Sequence, residues 1–304
     1  MWKRTEITVD ADPQMQCSPS VHFCAQVGKL SPNLRRLHLI DVNLTDVPIT
    51  SLPNSLESLA ITSSYLPPGW FIPVFSPGPA VMPQLKELDL SNSTKTSNAD
   101  LAVVRGWPDL TTLKLNRCYR ITSERLQAIT ERLHCLEVLG IAGTKCDGVA
   151  IQHICRNVAA TLRHLDVGEC PHFTDSCAVT VVRLLTNLRS LNVSYCSKLT
   201  DDGLRSFTGM NNNLRRLYVS STAFSSDTLS QLKTSLPNCK IVHWICSFAS
   251  SLCTPVCTCM WTLCKPTAFK YSVSFLLVNF PVSFSLFVNF PRVVSPCYFI
   301  CGDV

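Results

Sequence analysis

The stretch LTNLRSLNVSYCSKLTDDGL, residues 185–204, sets apolar residues at Leu188, Leu191 and Val193 and follows them with Cys196. Leu191 and Val193 are two apart, so in extended chain both side chains point to one face. Three residues later the chain carries a small thiol, then Leu199-Thr200-Asp201, a hydrophobic residue ahead of a helix-start signal. One short strand, one turn and one helix are thus written in twenty residues.

The same frame, L-x-x-L-x-[LIV], occurs eight times, beginning at Leu34, Leu56, Leu85, Leu110, Leu136, Leu162, Leu188 and Leu214. The spacings are 22, 29, 25, 26, 26, 26 and 26 residues. Four equal spacings in a row are a structural period, and this one falls in the leucine-rich-repeat range. A unit of this size cannot bury its apolar face alone, so neighbours must stack. The predicted fold is an α/β leucine-rich-repeat solenoid, a horseshoe with parallel strands on the concave side and helices on the convex side. It is expected to span residues 31–244 with about eight repeats. Residues 1–30 read as an irregular segment or partial cap.

Position eight of the frame, counted from its first leucine, must be small and able to hydrogen-bond where the chain turns. Cys118, Cys170 and Cys196 occupy it, with Ser64, Ser93, Thr144 and Thr222 elsewhere. These cysteines are read as a buried structural ladder of small hydrophobes, not as metal ligands or redox groups. The segments after them, such as ITSERLQAITERLH (121–134) and FSSDTLSQLKTSL (224–236), open on Thr, Ser or Asp and carry apolar residues at helical spacing. One unit departs from this. Six prolines between Leu66 and Pro83 preclude a regular helix, and Trp70, Phe71 and Phe75 there either meet a partner or pack onto the next repeat.

Composition narrows the function. Charged residues are 16% of the chain, and the net charge of +6 is spread without a dense Lys/Arg run, so nucleic acid is not expected as a partner. Seventeen cysteines, an odd number, together with a polar start lacking an apolar leader, favour reduced thiols and a cytoplasmic or nuclear location. The seven histidines fall at unrelated frame positions, and no phosphate loop or nucleophile triad is legible. The expectation is a binding protein, not an enzyme, with no cofactor and no metal.

The binding surface should be the outward residues of the strands. The central row contains His38, Asp89, Lys114, Asp166, Asn192 and Tyr218, and the row before it Arg36, Glu87, His164 and Arg216. These ten are the candidate contacts for a protein substrate on the concave face. Tyr and Arg carry much of the energy of protein interfaces, which singles out Arg216 and Tyr218, with His164 beside them in rank.

After Trp244 the frame stops. Residues 245–304 hold seven cysteines and four charged residues, and 271–291 carry no charge. The length would span a bilayer, but Pro281 and two asparagines interrupt it. The tail is therefore read as disordered or spurious sequence, ahead of a membrane anchor or a module built on Cys253, Cys257, Cys259 and Cys264.

The frame joined to cysteine and then to Ile121-Thr122-Ser123, Phe173-Thr174-Asp175 or Leu199-Thr200-Asp201 resembles the cysteine-containing repeats of the F-box/leucine-rich-repeat family. Residues 31–61 and the LPNCKIVHW ending (236–244) resemble that family too. The resemblance implies the substrate-recognition part of an SCF ubiquitin ligase, in which an F-box docks on the Skp adaptor and cullin while the repeats hold the protein to be ubiquitylated. The 33 residues ahead of the first repeat carry no F-box pattern, so Skp adaptor and cullin are doubtful partners of this chain. The alternatives are a repeat scaffold or inhibitor without ligase coupling, and a membrane-anchored repeat receptor.

Overall fold

The computed structural model describes residues 6–10, 33–75, 81–210, 213–220 and 224–243. Ten strands form one parallel sheet in strict chain order. They are β1 (Glu6–Asp10), β2 (Arg36–Ile40), β3 (Ser58–Thr62), β4 (Glu87–Asp89), β5 (Thr112–Lys114), β6 (Val138–Gly140), β7 (His164–Asp166), β8 (Ser190–Asn192), β9 (Arg216–Tyr218) and β10 (Lys240–Val242). The register is invariant from β2 to β9: Leu37, Leu59, Leu88, Leu113, Leu139, Leu165, Leu191 and Leu217 stack leucine on leucine. All eight are buried. The frame therefore produces the sheet, and the fold is an α/β leucine-rich-repeat solenoid.

Two strands lie outside the frame. β1 falls within the segment read as an irregular or partial cap and pairs with β2 along its whole length. β10 pairs with β9 at the other end of the sheet. The tail from 245 to 304, with its anchor and cysteine-module alternatives, lies outside the described residues, as do Trp244 and the ladder residue Thr222.

Frame position seven is the hinge of the seven repeats in which it is described. Asp41, Ser63, Asn92, Arg117, Gly143, Glu169 and Tyr195 all have left-handed backbone, with φ between 54° and 65°. Six of these are not glycine, so the turn is held by tertiary bonds and not by backbone freedom. The N–H of each donates to the carbonyl of position six in the following repeat, from Asp41 N to Thr62 O at 3.0 Å through Tyr195 N to Ser220 O at 2.8 Å. The strain is repaid one repeat onward.

The ladder residues then close the core. Cys118 Sγ donates to Leu90 O at 3.1 Å, Cys170 to Ile141 O at 3.3 Å, and Cys196 to Val167 O at 3.2 Å. Ser93 Oγ makes the same bond to Ile61 O at 2.9 Å. Burial pushes the three thiols up to about 12, so they stay protonated and unreactive at neutral pH. Cys146 and Cys155, which the frame does not predict, are buried in the same way.

On the other layer, five α-helices occur among the described residues: α1 (Ser123–Thr130), α2 (Gly148–Asn157), α3 (Asp175–Leu184), α4 (Asp201–Ser206) and α5 (Ser226–Ser235). Thr122, Asp147, Thr200 and Ser225 cap their N-termini by accepting from backbone N–H groups. The first three repeats differ. Among the described residues, their connections hold only 3-10 segments, at Ile49–Ser51, Ile72–Phe75 and Asp100–Gly106. No regular helix is expected in the proline-rich second unit; the expectation of a helix in the first and third units is corrected. The first unit is short and carries Pro48 and Pro53, the second is proline-rich, and the third is closed by Gly106 and Pro108. Aromatic residues fill the space instead. Trp70 and Phe71 are buried, Trp70 donates to Val47 O at 2.6 Å, and Phe71 lies edge-on to Trp107 at 6.3 Å. Trp70 and Phe71 are core, not a partner site.

Candidate protein-binding face

The strands place the ten candidates at three separate points along the sheet. Arg36 and His38 stand on β2, where His38 Nε2 lies 2.9 Å from Thr62 Oγ1. Glu87, Asp89 and Lys114 stand on β4 and β5, and Lys114 Nζ pairs with Asp89 at 3.4 Å. His164, Asp166, Asn192, Arg216 and Tyr218 share β7 to β9. This last group is the largest, with five candidates on three adjoining strands.

Within it, two side chains serve the fold. The sheet must end with its position-six N–H satisfied, and an Asp or Asn at position four does this within its own turn. Asp89 accepts from Ser91 N at 3.0 Å, Asp166 from Gly168 N at 3.1 Å, and Asn192 from Ser194 N at 3.0 Å. Asn192 Nδ2 also donates to Asp166 at 2.8 Å. Burial holds the Asp166 carboxyl above the usual carboxylate range, with the Gly168 N–H and the Asn192 amide opposing. Arg216 and Tyr218 make no such bond, and Arg216 is exposed.

Repeat five lacks a residue able to cap itself, because position four is Gly140. Asn116 crosses over instead: its Oδ1 accepts from Ala142 N at 2.9 Å, and its Nδ2 points to Asp166 at 3.4 Å. A Cβ on Gly140 would stand 2.7 Å from Asn116 Oδ1. At position seven of the same repeat, Gly143 leaves room for Arg117 to reach Glu169 with two hydrogen bonds, at 3.2 and 2.7 Å.

The residues that sequence reasoning missed lie at frame position one. Arg163, Arg189 and Arg215 each sit next to the first leucine, at the beginning of β7, β8 and β9, and Lys240 opens β10. Arg189, Arg215 and Lys240 are exposed. The signal was present in the triplets Asn187-Leu188-Arg189 and Asn213-Leu214-Arg215, but as single charges 26 residues apart they read as scattered. Burial lowers the His164 pKa, and Arg216 and then Arg189 lower it further, so the imidazole feels these cations.

Among the described residues, no group of His, Cys, Asp and Glu could hold a metal ion. No described helix is long and apolar enough to cross a membrane.

A Leucine Rich repeat family model matches residues 185–207. F-box/LRR-repeat protein 12 of Homo sapiens is 31% identical over 128 residues, which are 42% of this chain and 38% of that protein; the Bos taurus and Mus musculus proteins match to the same extent. The matched stretch thus spans well under half the length of these relatives. Among solved structures, the crystal structure of the Rad7 and Elc1 complex in yeast contains a chain of the same fold. Its TM-score is 0.63 at 15% identity, over 77% of this chain and 63% of that one. The leucine-rich-repeat-containing protein LegL7 from Legionella pneumophila gives 0.50 at 15% identity, over 79% and 82%.

Proposed function

We propose that this leucine-rich-repeat solenoid, similar to F-box/LRR-repeat proteins, is a protein-binding module that recognises a substrate of a ubiquitin ligase on its strand face. The observation that carries the reading is the combination of frame and relatives: the leucine frame stacks into one parallel sheet, and 128 residues of the chain are 31% identical to F-box/LRR-repeat protein 12. The rigid row of outward residues at β7 to β9 is the docking platform. Tyr218 offers an amphipathic ring and Arg216 an exposed guanidinium, the residue types that dominate interfaces.

Affinity purification of the full chain from cells, with and without the Arg216→Ala/Tyr218→Ala pair, tests this. The expected result is a protein partner whose capture weakens at least about tenfold in the double variant, as for loss of two hot spots. Co-purification of a Skp adaptor and cullin would attach the module to a ligase. Their absence, with a substrate still captured, would favour a scaffold or inhibitor. Unchanged capture by the double variant would remove the β9 strand face from the interface.

A further inference from the structure

The position-one residues and their neighbours give the sheet a sign. Arg189 opens the turn into β8, Arg215 and Arg216 open β9, and Lys240 opens β10. Arg216 and Lys240 are register partners, directly side by side. Parallel strands lie about 4.8 Å apart, so the two basic residues leave the sheet at that spacing, with Arg189 one strand further on. Like charges facing each other across a sheet cost stability. The fold does not require them: the position of Arg216 is Ser58, Thr112 or Ser190 in other repeats.

Among the described residues, three of these cations, Arg189, Arg216 and Lys240, have no acidic partner, while Glu137 is engaged with Arg163 at 3.4 Å. Asp166 lies on the same face but is turned into the hydrogen bonds of Gly168 and Asn192. At β2 the same two positions carry Arg35 and Arg36, but there Arg35 pairs with Glu57 at 3.4 Å and Arg36 has Glu6 as its register partner. β4 carries Glu87 beside Lys86, so the early strands set acids among their cations.

We infer that the edge formed by Arg189, Arg216 and Lys240 binds an acidic segment of a protein partner, carboxylates along it meeting the cations of successive strands. This rests on the proposed protein-binding reading and names the chemistry of what is bound. Tyr218, next but one to Arg216 on β9, supplies an adjoining apolar contact. Nucleic acid fits less well. The three strands that carry these residues span about 10 Å, short of the six to ten phosphate contacts that make a nucleic-acid complex strongly salt-dependent.

The test uses the full chain and a fluorescent deca-glutamate peptide as probe, with anisotropy read at about 50 mM and about 300 mM salt, since exposed charges are screened over roughly the Debye length. Binding at low salt should weaken at least about fivefold at high salt and about tenfold in Arg189→Ser/Arg216→Ser. The charge-matched variant Lys145→Ser/Lys198→Ser, altered on exposed loops away from this edge, should bind like the parent. Thermal melting should show both variants folded. No binding, equal losses in the two variants, or tighter binding of single-stranded DNA than of the peptide would overturn the assignment. A cellular partner lost in Arg216→Ala/Tyr218→Ala but retained in Arg189→Ser/Arg216→Ser would overturn the acidic segment alone and leave the protein-binding reading standing.

Discussion

Repeats on β2 to β4 and repeats on β5 to β9 share one sheet and one register, yet they are backed differently. The later repeats carry α-helices, four of the five capped by a side chain, that bury apolar residues such as Ala150, Ile151, Ile154 and Cys155 of α2. The earlier ones carry 3-10 segments, with Trp70, Phe71 and Trp107 as fillers. The strand frame is therefore the invariant part of this fold, and whatever fills the second layer at the right thickness is accepted. An indole does in one side chain what a helical turn does elsewhere.

That contrast can be broken most decisively at Trp107. Its ring is fully buried, edge-on to Phe71, and its N–H donates to Val81 O at 3.1 Å. Trp107→Ala should cost about 4 kcal/mol. Hydrogen exchange should then quicken in β2 to β5 while β6 to β9 keep their protection. Equal loss along the whole sheet would show that the two regions are one cooperative unit.

The ladder gives a smaller effect that should be the same on both sides. Ser93, among the early repeats, already makes with a hydroxyl the bond that Cys170 makes with a thiol. Cys170→Ser should cost about 1 kcal/mol, the scale of exchanging one buried hydrogen bond for another, with no response to chelators. Cys170→Arg should unfold the neighbouring repeats. Thermal melts of the two variants check this, and a large chelator-induced drop in the parent would mean that the thiol holds a metal.

The smallest effect is electrostatic. Burial raises the Asp166 carboxyl in the folded protein, so the folded state holds its proton more tightly than the unfolded chain. The resulting penalty is full above the folded pKa and disappears as pH falls to the ordinary carboxylate value. Asp166→Asn should keep the Gly168 contact, as Asn192 shows in its own repeat. It should leave stability at neutral pH equal or higher and flatten its fall with rising pH through the acid range. A lower melting temperature at pH 7 would mean that the charge itself is needed, by Lys114 or by Asn116.

What the sequence disclosed follows the same division. The eight leucine frames, the helix starts at Thr122, Asp147, Thr200 and Ser225, and the burial of Cys118, Cys170 and Cys196 depend on local pattern, and local pattern was enough. β1 was invisible because Glu6–Asp10 has no frame and is a strand only by pairing with β2. The 3-10 segment at Asp100–Gly106 was hidden because its composition does not forbid a helix. Asp89, Asp166 and Asn192 look like free recognition groups in sequence, and only the turn geometry reveals their backbone bonds. The basic edge required register: arginines 26 residues apart become neighbours only when strands align.

Gly140 and Gly143 have a consequence for how such a chain can change over generations. Stacked repeats usually touch only the next unit, so whole units can be duplicated or deleted with little penalty. Here Asn116 and Arg117 reach past one unit to Asp166 and Glu169 in the second. Deleting the glycine unit would bring those four side chains one strand closer, and inserting another copy would part them. The three central units are thereby inherited as a block, and shuffling of modules is free only on either side of it.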